Sequence, residues 1–480
     1  MYSLRQMERN DKMCEHLSLD VFASIYPIEQ VESLIEQHQA KLSKKKRVRQ
    51  FTGVSVVYFL LMMALWARLS QARVWDKLTH GLQRLHPSGL QEPASAAALW
   101  YQRQHLGVQV LQKLFAACCR PVCGEQTKGA FYQGWRIMAI DGTLQKVADT
   151  PKNDAFFYRS SNQYGKGAYP QARCVFLMEC GSHAIIDADV TDGKQSEMYG
   201  AYVVLGKVEA GMLVTHDSGL FAGGLWEQLR ERRAHALCAL AEPVLGKPLR
   251  RLSDGSYLTV LLPQSGGIVR QKKPLLIRVI EYQVSDERLG DVGKIYRLAT
   301  TLLNPRGARA LALIQLYHER WEIELAIREI KTYQRLQLKV LRSKTPEGVM
   351  QELYALLLAH YAVRVLMHQS ACEADVDPDR LSFTEAVFQI SDTVADLAVA
   401  KPAHQGWLLG CLLHCLRRRP LPPRRLRVNR REIKQIYNKY KPKKRDQPPP
   451  QPFGPDERFE DFVHLVCRPT MGPQEVACGA

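Results

Sequence analysis

WRIMAIDGT (residues 135–143) marks the point where the character of this 480-residue chain changes. Before it, apolar residues recur at helical spacing. From it onward, short apolar runs alternate with turns. WRIMAI (135–140) reads as a short strand, with Asp141 and Gly142 immediately after it. QARCVFLMEC (171–180) and SHAIIDADV (182–190) are separated by one glycine and read as a hairpin. A helix fits KQSEMYGAYVVLGKV (194–208), a strand fits MLVTH (212–216), and a second helix fits FAGGLWEQLRERRA (221–234). Strands, helix, strand and helix in this order predict an α/β layer architecture.

Working outward toward the C-terminus, SYLTVLLP (256–263), PLLIRVIEYQV (274–284) and KIYRLATTLL (294–303) are strand-like, with DGS and SGG turns between them. Residues 235–302 therefore read as a β-rich insertion. From Arg306 to Thr345 neither Pro nor Gly occurs after Gly307, which predicts one long helix. Thr345-Pro346-Glu347 then supplies an N-cap with Pro at N1, and LYALLLAHYAVRVLM (353–367) continues as a buried helix.

Toward the N-terminus, residues 17–117 carry helical patterns. The apolar run TGVSVVYFLLMMALWA (52–67) is shorter than the roughly 20 residues needed to cross a bilayer, so a buried core helix is expected. MYSLRQMERNDKMCEH has no apolar h-region, and no signal peptide is expected. Twelve cysteines occur without a regular framework, which fits reduced thiols in a cytosolic protein. Cys118, Cys119 and Cys123, and Cys411, His414 and Cys415, lack paired CxxC halves and read as core thiols.

Charge narrows the partner. Sixty-six Lys and Arg oppose forty-eight Asp and Glu, a net +18. Such an excess favours a polyanion: nucleic acid first, an anionic membrane surface second. The excess is concentrated in KKKRVR (44–49) and in residues 416–445, where fourteen Lys and Arg stand against one Glu. QPPPQP (447–452) then reads as an extended linker.

Two aspartates recur in one setting, Asp141 in IMAIDGT and Asp217 in MLVTHDSG. Each follows a strand and precedes small residues that let the chain turn. In open α/β sheets ligands gather at strand ends, although turn and capping roles are common for Asp there. His216 reads as a packed histidine. Asp187 and Asp189 share a strand face, where a metal site stays open; Asp149 and Asp154 read as turn residues.

A third carboxylate comes from YHERWEIELAIREIK (317–331). At about 100° per residue, Tyr317, Arg320, Glu324 and Lys331 fall within a stripe about 60° wide. Glu319, Glu322 and Glu329 fall on other faces and read as surface residues. Glu324 alone is flanked along the axis by Arg and Lys. Either it is one partner of a surface ion pair, or it coordinates a cation while Arg and Lys hold phosphates.

The stripe, as Y-x2-R-x3-E-x6-K, resembles the signature of DDE transposases of the insertion sequence four family. DGT (141–143), DTPKN (149–153), HDSGLFAGGLW (216–226), YRLATTLLNP (296–305) and LRSKTPEGVMQELYALLLAHYAVR (341–364) are similar to that family as well, so the likeness spans roughly residues 130–370. It implies an α/β, ribonuclease-H-like catalytic core interrupted by a β-rich insertion, with helical N- and C-terminal regions. The expected division is 1–128 helical and DNA-binding, 129–234 first part of the core, 235–302 insertion, 303–400 second, helical part of the core, 401–446 basic, and 447–480 Pro-rich linker and tail.

The resemblance also implies chemistry. Asp141, Asp217 and Glu324 would hold two Mg²⁺ ions, or Mn²⁺ in their place, with Asp141 bridging them. Tyr317, Arg320 and Lys331 would contact DNA phosphates. The implied partners are double-stranded DNA with terminal inverted repeats and target DNA, with a homodimer on paired ends, no membrane, and a cytoplasmic, nucleoid-associated place in a bacterium. Two other classes stay open: a catalytically silent transposase-derived repressor, and a nuclease without strand transfer.

Overall fold

The computed structural model describes residues 20–39, 53–85, 95–162, 165–240, 247–263, 268–318, 320–336, 338–397, 402–422, 453–454 and 456–466. KKKRVR (44–49), most of the basic tail and QPPPQP lie outside the described residues. In chain order the main elements begin with helices α1 (Ile28–Gln39), α2 (Gly53–Leu65), α3 (Gln71–Leu85), α4 (Ala96–Leu106) and α5 (Gln109–Cys118). Strands β1 (Trp135–Lys146), β2 (Gln171–Glu179) and β3 (Ile185–Thr191) follow, then α6 (Glu197–Val204), β4 (Met212–His216), α7 (Gly223–Glu231) and β5 (His235–Ala239). Next come β6 (Tyr257–Leu261), β7 (Leu275–Val284), β8 (Tyr296–Thr300), α8 (Ala310–His318) and α9 (Trp321–Arg328). The chain continues with a π-helical turn (Glu329–Tyr333), α10 (Pro346–Glu373), a 3₁₀ turn (Pro378–Arg380), α11 (Phe383–Leu397), α12 (Pro402–Arg417) and β9 (Val463–Leu465). Three strands, then helix, strand, helix and strand, is the chain order of a ribonuclease-H-like core. The fold is mixed α/β with helical N- and C-terminal regions.

Two compact units divide the chain. The first comprises Met1–Met212 and Arg320–Pro422, the second Leu213–Glu319 and Pro423–Ala480.

In the first unit, α2 is apolar all round and buried from Val54 to Leu65. It packs against α10, itself buried along most of its length. Both are core helices, as their apolar runs predict. Truncating a fully buried residue such as Leu61 to Ala removes its transfer energy and leaves a void, a cost of about 2–5 kcal/mol. Thr345 caps α10 by accepting from Gly348 N at 3.3 Å, and Pro346 occupies the first turn, where its missing N–H costs nothing. β1, β2 and β3 form an antiparallel run in which Asp141 pairs with Phe176 and Val175 with Asp189. α6 packs on β2, and α9 packs on β1.

In the second unit, β4 and β5 are parallel, with Leu213 opposite His235. β8 adds antiparallel to β5, β7 to β8 and β6 to β7. The tail returns as β9 to pair with Tyr282–Val284 of β7. β5, at the start of the stretch 235–302, belongs to the core strand order, and β6 to β8 are the further strands of that stretch.

Two local expectations are corrected. Asp141 does not follow a strand that ends at Ile140; β1 runs on to Lys146, and Asp141 lies within it. Gly142, Thr143 and Leu144 pair with Val175, Cys174 and Arg173, so the ladder continues past the apolar run because β2 supplies partners. Nor is 306–345 one helix. α8 ends at His318, and α9 starts anew at Trp321 with Arg320 at its N-cap. Gln334 N then bonds Glu329 O at 2.8 Å, an i to i+5 contact that makes the π turn. Leu336, at φ 48°, takes the chain out of the helix. No Pro or Gly marks either break.

Candidate active site

β1 presents Asp141, Thr143 and Gln145 at alternate positions, hence on one face. Opposite them stand three cations from the α9–π segment and its exit. Arg320 Nη1 lies 3.9 Å from Asp141 Oδ2, Lys331 Nζ donates to Thr143 Oγ1 at 2.9 Å, and Arg335 Nη1 donates to Gln145 Oε1 at 3.3 Å. Arg320 also reaches Glu324, with Nη2 3.5 Å from Oε1. One largely buried guanidinium therefore sits within 4 Å of two carboxylates that remain partly open to solvent. Burial pulls the Lys331 ammonium below its ordinary pKa. Asp141 Oδ1 accepts from Gly142 N at 2.8 Å, which orients the carboxylate along the strand.

Beside Asp141, a cleft of about 640 Å³ is lined by Lys146, Arg173, Lys331, Arg335 and Lys339, with Glu197 as its acid. Low-dielectric walls of one sign concentrate anions, so this cleft is suited to a polyanion backbone.

Asp217 and Tyr317 lie in the second unit. Asp217 caps a 3₁₀ turn, its Oδ1 accepting from Leu220 N at 3.1 Å, so the capping role weighed for it is real. Tyr317 donates its hydroxyl to His216 O at 3.3 Å and steadies the strand end that carries Asp217. His216 is buried. Its Nε2 accepts from Trp226 Nε1 at 3.0 Å, which leaves the proton on Nδ1 to donate to Asp217 O at 3.0 Å. It is a packed histidine with both nitrogens engaged, as expected. Asp149 and Asp154 both pair with Arg159. Asp187 is pushed up to about 6 by burial, and Asp189 is raised by the same cause.

The glutamates read as surface residues are corrected. Glu329 is buried, held by Arg364 through Nε at 3.0 Å and Nη2, and by His360 Nε2 at 3.0 Å. Burial opposes its charge, but Arg364, with His183 and His360, overrides it and holds the carboxyl well below the usual glutamate range. Glu322 Oε2 lies 2.8 Å from His183 Nε2, and Asp379 Oδ1 lies 3.0 Å from the same nitrogen. Glu319 lies outside the described residues.

Sequence reasoning missed Thr143, Gln145 and Arg335. The alternation Asp-x-Thr-x-Gln at 141–145 held the signal, since polar residues at every second position mark a strand face aimed away from the core. It also missed His183, Arg364 and His360, which carry no local pattern.

The donor set suits a hard divalent cation. Asp141 and Glu324 offer carboxylate oxygens near Arg320 with side chains 17% and 20% exposed, and hard Mg²⁺ prefers such oxygen ligands together with water.

The Transposase DDE domain family matches residues 133–362, and the Insertion element 4 transposase N-terminal family matches residues 16–116. The transposase InsG for insertion sequence element IS4 of Escherichia coli (strain K12) is 31% identical over 349 residues, 72% of this chain and 77% of the relative. InsZ of the same strain is 25% identical over 223 residues, 45% of this chain and 69% of its own. Among solved structures, the piggyBac transposase synaptic complex with hairpin DNA aligns at a TM-score of 0.42 and 11% identity, covering 84% of this chain and 87% of that one. On the match to InsG, the chain belongs to the insertion sequence 4 family of DDE transposases.

Proposed function

We propose that this transposase cuts DNA at the ends of an insertion sequence and joins those ends to target DNA, with Asp141, Asp217 and Glu324 as the acidic metal ligands. The observation that carries the reading is the pairing of Asp141 and Glu324 across one arginine, beside a cleft with five cations. Family membership supports the same assignment.

Two Mg²⁺ ions held by these carboxylates would polarise the scissile phosphate and raise the nucleophilicity of the attacking water or 3′-hydroxyl. The protein's own groups do the rest. Arg320 offsets the repulsion between Asp141 and Glu324 and keeps them close before any cation arrives. Lys331, anchored on Thr143, offers its ammonium to a phosphate next to the scissile one. Lys146, Arg173, Arg335 and Lys339 extend that positive track, so the strand is positioned by its backbone and not by base identity. Tyr317 acts first on the strand end before Asp217. Two ends must reach one target, so a dimer on paired ends and action at the bacterial nucleoid complete the reading.

The test is purified protein with a duplex carrying the element's terminal repeats and Mg²⁺. Wild type nicks the ends and joins pre-cut ends to a second duplex. Asp141→Asn, Asp217→Asn and Glu324→Gln bind the duplex and do neither. Normal cleavage by any of the three removes that residue from the site. Cleavage without joining reduces the activity to that of a nuclease.

A further inference from the structure

His183 occupies the turn between β2 and β3 at φ 58°, and its side chain is fully buried. Positive φ is uncommon for a residue with a side chain. Contacts from four other elements converge on it. Glu322 comes from α9, Glu329 from the π turn, Arg364 from α10 and Asp379 from the 3₁₀ turn. Arg364 Nη2 lies 2.7 Å from Nδ1. A guanidinium has only donors, so Nδ1 accepts and the ring proton sits on Nε2, which lies 2.8 Å from Glu322 Oε2 and 3.0 Å from Asp379 Oδ1 without hydrogen-bond alignment. Burial and the Arg364 charge oppose a second proton; Asp379 and Glu322 outweigh them and raise the ring to about 10. That proton would point at a donor, so a charged ring requires Arg364 Nη2 to turn wholly onto Glu329.

His183, Glu322 and Asp379 are also close enough to hold a cation. A metal-bound imidazole, however, donates from its second nitrogen to an acceptor, and here that nitrogen meets Arg364. The cluster is therefore a polar hub, in which Arg364 hydrogen-bonds both His183 and Glu329 while the Glu322 and Asp379 oxygens lie within ion-pair distance of Nε2. Its placement gives it a use. Glu322 stands two residues before Glu324, and Glu329 stands two residues before Lys331. One side of the segment is gripped by the hub; the other faces Asp141 and Thr143.

We infer that His183 is a positioning residue, which fixes the rotation of α9 and its π turn by holding Glu322 directly and Glu329 through Arg364, and so sets where Glu324 and Lys331 stand. This rests on the role proposed above for Glu324. Small errors of placement are costly at reacting centres, and about tenfold in rate for a loosened support is a modest expectation.

The experiment compares four full-length proteins: wild type, His183→Ala, His183→Gln and Val57→Ala. Val57 is a core residue of α2 outside the site, and its truncation reports what lost stability alone does. Single-turnover end cleavage at saturating duplex, duplex affinity, melting temperature and amide exchange over residues 321–333 are measured for each. His183→Ala should cleave about tenfold more slowly, bind duplex within about twofold of wild type, and exchange faster across 321–333. His183→Gln keeps a donor for the carboxylates and should recover most of the rate. Val57→Ala should melt lower yet cleave normally where it is folded. Equal cleavage by His183→Ala and Val57→Ala overturns the inference, as does unchanged exchange in 321–333. If His183→Ala does not fold, Glu322→Gln replaces it with the same expectations. Zn²⁺ added to metal-free wild type is the last arm: a rise in melting temperature that His183→Gln abolishes makes the cluster a metal site instead. Normal cleavage by Glu324→Gln would sink the proposed function, whereas the exchange arm still reads the hub.

Discussion

Glu324 and Glu329 lie one helical turn and a half apart on the same segment, yet they belong to opposite regimes. The Glu324 side chain retains about 20% exposure and meets one arginine at 3.5 Å. The Glu329 side chain retains 7% and is bound by Arg364 at two nitrogens and by His360. A carboxylate with both oxygens engaged in a buried network is a structural part, because freeing it would leave a buried charge alone. A carboxylate that keeps about 20% of its side chain in water is within reach of a cation. Burial and pairing separate the two roles where residue type cannot.

The comparison is broken most sharply by neutralising each in turn. Glu324→Gln should reduce end cleavage by at least about 10³-fold, a barrier increase of about 4 kcal/mol, while melting stays near wild type. Glu329→Gln should do the reverse. Removing one partner of a buried ion pair strands Arg364 in the core, at about 3–5 kcal/mol of stability. Denaturant unfolding and the cleavage assay, run on both proteins, check the crossing. A destabilised Glu324→Gln, or a Glu329→Gln as stable as wild type, would collapse the distinction.

This pair also measures what the sequence could reveal. Helical phase brought Arg320, Glu324 and Lys331 onto one line, and the strand pattern led to Asp141. Arg320 and Lys331 do meet β1, yet the helix breaks between Tyr317 and Arg320 and turns π at Glu329, and Asp141 lies within its strand and not after it. Phase also sent Glu322 and Glu329 to the surface, and there it misled. The burial of Glu329 and the pairing of half-buried Glu322 depend on His183, Arg364 and His360, which are distant in sequence and carry no periodic mark. The extension of β1 through Thr143 and Gln145 was hidden for a related reason. A polar face looks like a strand's end until its partner strand is known. The π turn at Glu329 has no Pro or Gly to announce it.

Acid should sharpen the same contrast. The Glu329 carboxyl is held well below its ordinary value of about 4.5, so between these two values the unfolded chain binds more protons than the folded one. Its stabilisation is complete above about pH 4.5 and is lost as pH falls through the folded value. Wild type should therefore lose unfolding free energy more steeply below pH 4.5 than Glu329→Gln, which has no such proton to take up. Parallel acid profiles for the two would show that the network contributes nothing to stability.

The smallest effect tests the cleft. Lys146 and Lys339 are exposed and line it, so removing either charge should leave stability near wild type. If each neutralises one phosphate, Lys146→Gln or Lys339→Gln should weaken duplex binding a few-fold at moderate salt. The log–log salt slope should then fall in magnitude by about one for each, equally for specific and scrambled duplexes. Glu197 supplies the opposite sign: it lines the same cleft as an anion, and Arg173 lies 3.9 Å from it. Glu197→Gln should tighten binding while Lys339→Gln loosens it. A charge farther from the DNA than the Debye length of about 8–10 Å is largely screened, so neither substitution would then change affinity. Only a backbone passing through this cleft requires both changes.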